Sequence, residues 1–520
     1  MITASLVSHT NAGKTTLART LLARDIGEVR DAPHVTELAE PHLLVETADG
    51  ESLMLCDTPG FGDSARLLER LRSRRQPLGW FLAEVWDRWR ERAFWATQQA
   101  LLQVRDRTDI VVYLVSAAET PAAAGYVAPE MELLAWVGKP VVVLVNQLGA
   151  PRPAAEEAAE LARWQGELAR WPLVRALLPF DAFARCWVQE FAFFDALGRA
   201  LAAPGDGVDA RIERLAAAWA AGRLATFERA MRVQAEMLAR VALVREPQRG
   251  EPGWRERLLG LGGRLAARRA AIAEERLGRF LAEEVRTSTA ALLGLYGIEG
   301  SATATILERV ATGFERRERV DEGRAAVFGG VVSGALAGLK ADLLAGGLTL
   351  GGGLLAGGLL GALGGAGLAR GLNLVRGTAE GTVGFSAAAL DGIAEAALLR
   401  YLAVAHFGRG RGRWAEGEAP AHWGPVVREA LAAEREAFAR AWATRPRATP
   451  DADAALTLTV LLTPAVARAT RAALQTLYPG SWPRASGAGP GAGDRAGLGE
   501  GLAIGPVGRA SPPPVGRPAV

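Results

Sequence analysis

Nine residues near the start of the chain constrain its fold most: Ser8-His9-Thr10-Asn11-Ala12-Gly13-Lys14-Thr15-Thr16. A short apolar run, Ile2 to Val7, precedes them, and a helical pattern from Thr16 to Ala23 follows. Strand, tight loop and helix is the setting in which successive backbone N–H groups wrap a polyphosphate while a helix N-terminus adds partial positive charge. Asn11, Ala12, Gly13 and Thr16 fall along such a loop, Lys14 would reach the β- and γ-phosphates, and the Thr15 hydroxyl would bind Mg2+. Gly13 leaves space where a side chain would strike the phosphates. The stretch departs from the G-x-x-x-x-G-K-[ST] pattern at its first position, where Ser8 replaces glycine; its bland alternative is a plain helix start.

Downstream, Leu53-Met54-Leu55-Cys56 is an apolar strand ending in Asp57, and the chain turns at Pro59-Gly60. That suits an acidic residue holding Mg2+ through water, followed by a glycine amide, Gly60, that senses the γ-phosphate. The alternative is an unrelated strand-turn with Asp57 as a turn former. Between the two elements, Arg30 to Pro41 is polar and carries Thr36, which could close over Mg2+ once a γ-phosphate is present or could be an ordinary surface threonine. Lys14, Thr36 and Gly60 are the expected catalytic set; Thr15, Thr36 and Asp57 are the expected metal ligands.

Net charge is +3 over 520 residues, so no global field marks a nucleic-acid binder. Lys14, Lys139 and Lys340 are the only lysines, and one of these three stands where phosphate chemistry needs it. Cys56 and Cys186 make no disulfide framework, which fits a reducing, cytoplasmic setting, and the five histidines show no metal-ligand spacing. The apolar run before the loop is too short for a secretory leader.

Residues 1–205 alternate strand and helix signals, which predicts an α/β domain with a mostly parallel sheet and helices on both faces. Strand candidates are Ile2–Val7, Leu43–Glu46, Leu53–Asp57, Ile110–Val115, Val141–Asn146 and Val174–Leu178. Ala48-Asp49-Gly50 reads as a hairpin turn, and the unbroken apolar run Val141 to Val145 suits a parallel strand covered on both faces. Ser64 to Arg107 reads as helical, its tryptophans 80, 86, 89 and 95 either packing on the domain or forming an aromatic partner surface.

Val7 to Thr15 together with Asp57-Thr58-Pro59-Gly60 resembles the Era/TrmE-like branch of bacterial small GTPases, and the rest resembles bacterial GTPases with an uncharacterised helical C-terminal domain. The resemblance implies a P-loop GTPase domain that binds GTP or GDP with Mg2+. Phe61 stands where Ras-type enzymes keep a water-orienting glutamine, so hydrolysis would proceed without that side chain. Asn11 matches the asparagine that, in potassium-activated members, helps hold K+ near the phosphates in place of an arginine finger. The guanine-reading Asn-Lys-x-Asp motif is here Asn146-Gln147-Leu148-Gly149. Asn146 fits and Gln147 could cover the base, but Gly149 removes the carboxylate that pairs with guanine, which relaxes base choice. Asp181, after the sixth strand, either supplies the lost acceptor or caps a helix running from Ala182 to Phe194.

Residues 206–324 show helical periodicity: Ile212, Leu215 and Trp219, then Phe227, Met231 and Leu238, fall on one stripe, and Pro247 to Gly253 breaks the run. Residues 325–371 are glycine-rich and apolar. Leu343–Ala369 has Thr349 as its only polar side chain, and as a helix its 27 residues would reach roughly 40 Å, enough to cross a bilayer core. Glycine at every fourth position, as in Gly353, Gly357, Gly361 and Gly365, gives a flat stripe for helix–helix contact. A membrane-embedded hairpin and a soluble core of small-residue helices are the two readings of this segment. Residues 372–478 return to helix, with a basic loop at Gly408 to Arg413, and residues 479–520 read as a disordered Gly/Pro/Ala-rich tail.

The expected function is a Mg2+-dependent GTPase switch on the cytoplasmic side of a membrane, passing its state to the membrane or to an unknown protein partner, with dimerisation left open. Its rivals are a non-catalytic or relaxed-specificity nucleotide-binding scaffold and a dynamin-like membrane-remodelling GTPase. No RNA-binding module is recognisable, so a nucleic-acid partner is the weaker expectation.

Overall fold

The computed structural model describes residues 1–10, 12–22, 40–72, 92–148, 154–182, 186–203, 207–247, 262–298, 374–376, 382–406, 420, 422–446 and 452–483. Asn11, Thr36, Gly149, the segment 325–371, the basic loop and most of the tail lie outside these residues.

Six strands form one sheet: β1 (Ile2–Ser8), β2 (Glu40–Glu46), β3 (Ser52–Asp57), β4 (Ile110–Ser116), β5 (Val141–Asn146) and β6 (Val174–Pro179), in the order β2-β3-β1-β4-β5-β6. Only β2 runs antiparallel, joined to β3 by a turn in which Gly50 takes φ +85°. β1, β4 and β5 are buried along their whole length, because helices cover both faces of the sheet and leave no polar side to alternate with. One face packs α1 (Lys14–Leu22), which contributes Leu17, Ala18 and Leu21. The other packs α2 (Ser64–Arg72), α3 (Arg92–Arg107), α4 (Val127–Val137) and α5 (Ala154–Leu168) through residues such as Leu67, Leu101, Met131 and Trp164. The register sets Leu6 beside Asp57 and Ser116 beside Asn146, so the carboxyl ends of the parallel strands share one edge. In open sheets of this kind, that edge is where ligands bind.

After α6 (Gln189–Leu201), α7 runs unbroken from Ala210 to Leu243 over 34 residues, roughly 50 Å of helix. Asp209 caps it, accepting a hydrogen bond from the Arg211 amide. The stripe along α7 divides between two cores. Ile212 and Leu215, with Trp219 packed against them, join the sheet; Phe227, Met231 and Leu238 join a separate helical core. That core also takes α8 (Gly262–Leu295), α9 (Ala387–Ala405), α10 (Trp423–Ala433), α11 (Arg435–Ala443) and α12 (Ala452–Leu477).

The helical half is not purely helical. β7 (Glu246–Pro247), β8 (Leu374–Arg376) and β9 (Thr382–Phe385) form a small antiparallel sheet, with β9 in the middle. The helix ends at Leu243, ahead of Pro247, and Glu246–Pro247 pairs with β9. Among the described residues, no helix is long and apolar enough to cross a membrane.

Candidate nucleotide-binding site

The loop between β1 and α1 is shaped from both ends. Gly13 sits at φ +90°, and a Cβ there would lie 2.5 Å from Asn146 Nδ2, so both backbone and space require glycine. Asn146 is fully buried and donates from Nδ2 to Ala12 O (2.9 Å) while Oδ1 accepts from the Ala182 amide (2.9 Å). It therefore locks the phosphate-side loop to the loop after β6. Thr20 Oγ1 closes the circuit by donating to Ala182 O (2.8 Å) and to the carbonyl of Thr16 (3.0 Å), itself buried.

Lys14 and Asp57 are buried at the strand edge. The Lys14 ammonium donates to Ser8 Oγ (3.0 Å), so the serine found in place of the expected glycine holds the lysine in this structure. Burial pushes the Lys14 pKa down, against the pull of the Asp57 and Glu130 carboxylates. Thr15 Oγ1 donates to Asp57 Oδ2 at 2.5 Å. Gly60 sits close against the lysine and the loop: a Cβ there would stand 3.1 Å from Lys14 Nζ and 3.1 Å from Thr10 Cα. A hydroxyl and a carboxylate this close form an all-oxygen pair suited to a hard divalent ion, and the lysine beside them is suited to phosphate. The residues present therefore fit Mg2+ and a polyphosphate.

Phe61 lies wholly in the core, its amide bonded to Ser8 O (3.0 Å) and its backbone bridged to His9. Its ring cannot orient water at the edge. Gln147 adopts a left-handed φ of +59° and accepts from Ser116 Oγ. Asp181 is buried, but not as a helix cap: α6 starts at Gln189, with Val188 at its N-cap position, so the helical reading from Ala182 is corrected. The described residues on the two sides of this loop instead belong to different cores. Ala182 is held by Asn146, while Cys186, Trp187 and Val188 enter the helical core, where Trp187 Nε1 donates to Tyr401 OH (3.2 Å). Residues in aromatic contact with Trp187 include Phe227 and Trp482.

Sequence reasoning missed a cluster under the loop. His9 Nδ1 meets Glu130 Oε1 at 2.8 Å, and its ring stacks on Tyr126 at 4.3 Å. Tyr113 OH donates to Glu130 Oε2 (2.6 Å). Glu130 is fully buried, which raises its pKa against the two hydrogen bonds. A lone acid on the inward face of the apolar helix VAPEMELLAWV was the available signal.

Comparison with known proteins places two families on the chain. The family described as "50S ribosome-binding GTPase" matches residues 3–147, and the domain of unknown function DUF3482 matches residues 166–459. No curated protein matches. Solved structures that resemble it include Era in complex with MgGDPNP and nucleotides 1506–1542 of 16S ribosomal RNA, at 16% identity and a TM-score of 0.26, covering 35% of this chain. The chain spans 50% of the length of that Era structure. An Aquifex aeolicus Era variant bound to GDP and AlF4− has 16% identity and a TM-score of 0.29, over 45% of this chain and 67% of the other. An oligomerised bacterial dynamin pair has 9% identity and a TM-score of 0.24, over 92% of this chain and 69% of the other.

Proposed function

This chain belongs to the DUF3482 family and carries an Era-like P-loop GTPase domain at its N-terminal end, and from that premise we propose that it is a Mg2+-dependent GTP switch. Guanine-nucleotide binding follows from the GTPase domain; hydrolysis, and what hydrolysis drives, are the proposal. The observation that carries it is the convergence of Lys14, Gly60 and the 2.5 Å Thr15–Asp57 pair at one edge of the sheet.

Thr15 and Asp57, with Thr36, would hold the ion, which when bound neutralises charge on the β- and γ-phosphates. Lys14 adds a fixed positive charge against the transferring phosphate, and its burial strengthens that effect. Water is the nucleophile, and with Phe61 in the core no glutamine-like side chain at that position orients it. Asn146 shapes the base side, with Gln147 and Asp181 at its margins, and the absence of a carboxylate at Gly149 favours relaxed base choice. Phosphate release by wild type and Lys14→Ala tests the enzyme. The expected result is a clear rate that the variant loses; equal rates would leave the scaffold reading.

The switch would report to the helical half, because α7 and the loop 181–188 each contribute to both cores. We place its action at the inner face of a membrane on account of the uncharged stretch Leu343–Ala369. Liposome flotation of the full chain against a deletion of 325–369 checks this: the deletion should lose flotation, and matching fractions would remove the membrane.

A further inference from the structure

Two arginines of the helical half stand where no carboxylate meets them. Arg245 lies just past the end of α7 and Arg445 just past the end of α11, and both are half-buried. Arg245 Nη1 donates to Ala242 O (3.0 Å) and Val244 O (2.9 Å). Arg445 donates from Nε to Trp442 O (2.8 Å) and from Nη1 to Phe385 O (2.8 Å). The acids around them are engaged elsewhere: Glu246 pairs with Arg276 (3.4 Å), and Asp391 accepts from the Trp442 indole (2.8 Å). Among the described residues, neither guanidinium makes an ion pair.

The two meet at neighbouring residues of one strand. A Cβ on Gly384 would lie 2.6 Å from Arg245 Nη1, and the next residue of β9, Phe385, accepts from Arg445. Burial, and then the charge of Arg245, push the Arg445 pKa down, against the pull of Asp391. Helix C-termini favour a guanidinium, and capping accounts for the bonds to Ala242, Val244 and Trp442. Capping does not call on the remaining donors, the Nε–Nη2 edge of Arg245 and Nη2 of Arg445. Like charges gathered in a half-buried place are costly unless an anion joins them. The Arg245 edge is a fork that takes two oxygens of one anion side by side, and Arg445 adds a further donor. Three donors suit the several oxygens of a phosphate group better than the two of a carboxylate.

We propose that Arg245 and Arg445 form a phosphate-binding site beside β9, at the opposite end of α7 from the six-stranded sheet. The uncharged stretch ends at Ala369, and β8, which pairs with β9, begins at Leu374. Chain length alone holds those two residues within about 18 Å of each other. A lipid phosphomonoester as the ligand rests on the membrane reading above; a soluble phosphomonoester uses the same donors without it.

The test uses the full chain with GDP and Mg2+ present, so that the nucleotide loop does not compete for the probe. Glycerol 3-phosphate should raise the melting temperature, since a ligand that binds only the folded state stabilises it. Arg245→Gln and Arg445→Gln should each lose that rise. Arg276→Gln, which removes a positive charge already paired with Glu246, should keep it. Flotation on phosphatidylcholine vesicles with and without about 20% phosphatidic acid separates the sources. A gain on phosphatidic acid that both glutamine variants lose identifies a lipid phosphate; a melting rise without that gain identifies a soluble one. Should a glutamine variant not fold, Arg245→Lys keeps the charge, gives up the fork and should weaken the response about tenfold. A wild type that responds to neither probe, or responses that survive in the glutamine variants, overturn the proposal. Flotation on phosphatidylcholine alone tests the membrane reading separately, whichever way the arginines fall.

Discussion

The Thr15 hydroxyl donates to Asp57 at 2.5 Å across 42 positions of sequence, joining the first turn of α1 to the end of β3. Replacing Asp57 by Asn keeps the shape and removes the charge that would hold the metal. Asp57→Asn should lower phosphate release by about a hundredfold, on the scale of losing one electrostatic contact to a transition state. Steady-state phosphate release with saturating GTP and Mg2+ measures it; a rate within threefold or so of wild type would count against a metal at this pair.

Gly13→Ala should be worse for the fold than for chemistry alone. Its methyl would meet Asn146 Nδ2 at 2.5 Å from a backbone at φ +90°. Strain and a broken Asn146–Ala12 bond together should cost about 2–3 kcal/mol. Denaturant titration reads the loss, and nucleotide affinity should fall with it. Unchanged stability would mean the loop is not held by Asn146.

Glu190 tests the joint between the two halves. It is fully buried at the start of α6, accepts from the Trp219 indole, and takes both arms of Arg223 at 2.7 and 2.8 Å. Glu190→Ala leaves Arg223 and the indole without their acceptor, and should destabilise by about 3 kcal/mol. Because α7 carries both cores, calorimetry should show one transition for wild type and two for the variant. A single transition at the wild-type temperature would contradict the joint.

His406 makes the helical half sensitive to acid. Its Nδ1–H donates to Leu402 O at 2.6 Å, which leaves Nε2 to accept from the Tyr478 hydroxyl. Burial holds its pKa down at about 4, from an ordinary 6.5. The unfolded chain therefore takes up the proton first, so stability falls as pH drops from about 6.5 to about 4, by about 3 kcal/mol in all. His406→Phe should flatten that slope in denaturant titrations across the same window. An equal slope in the variant would assign the acid sensitivity elsewhere.

Much of this architecture is written in local pattern. Runs such as Val141 to Val145 are too apolar to face water on either side, and each of the six strand candidates appears within a few residues of its predicted bounds. β7, β8 and β9 are two to four residues long, too short to show alternation, and β7 pairs with β9 over a hundred positions downstream. Periodicity shows that Ile212 and Phe227 share a buried stripe, but not that they are buried against different partners. Lys14, Thr15, Asp57 and Asn146 were legible because their chemistry imposes spacing. His9 and Glu130 were not, because their pairing exists only once α4 packs beneath the loop.

The most direct test of the whole account is calorimetric titration of the purified chain with GTP analogue GDPNP, in Mg2+ and in EDTA, for wild type and Thr15→Ala. Binding that tightens markedly with Mg2+ in wild type, and loses that dependence in Thr15→Ala, is the result the account predicts. Equal binding with and without the ion in wild type, or no binding at all, would contradict a triphosphate and its metal gripped between Lys14 and Asp57.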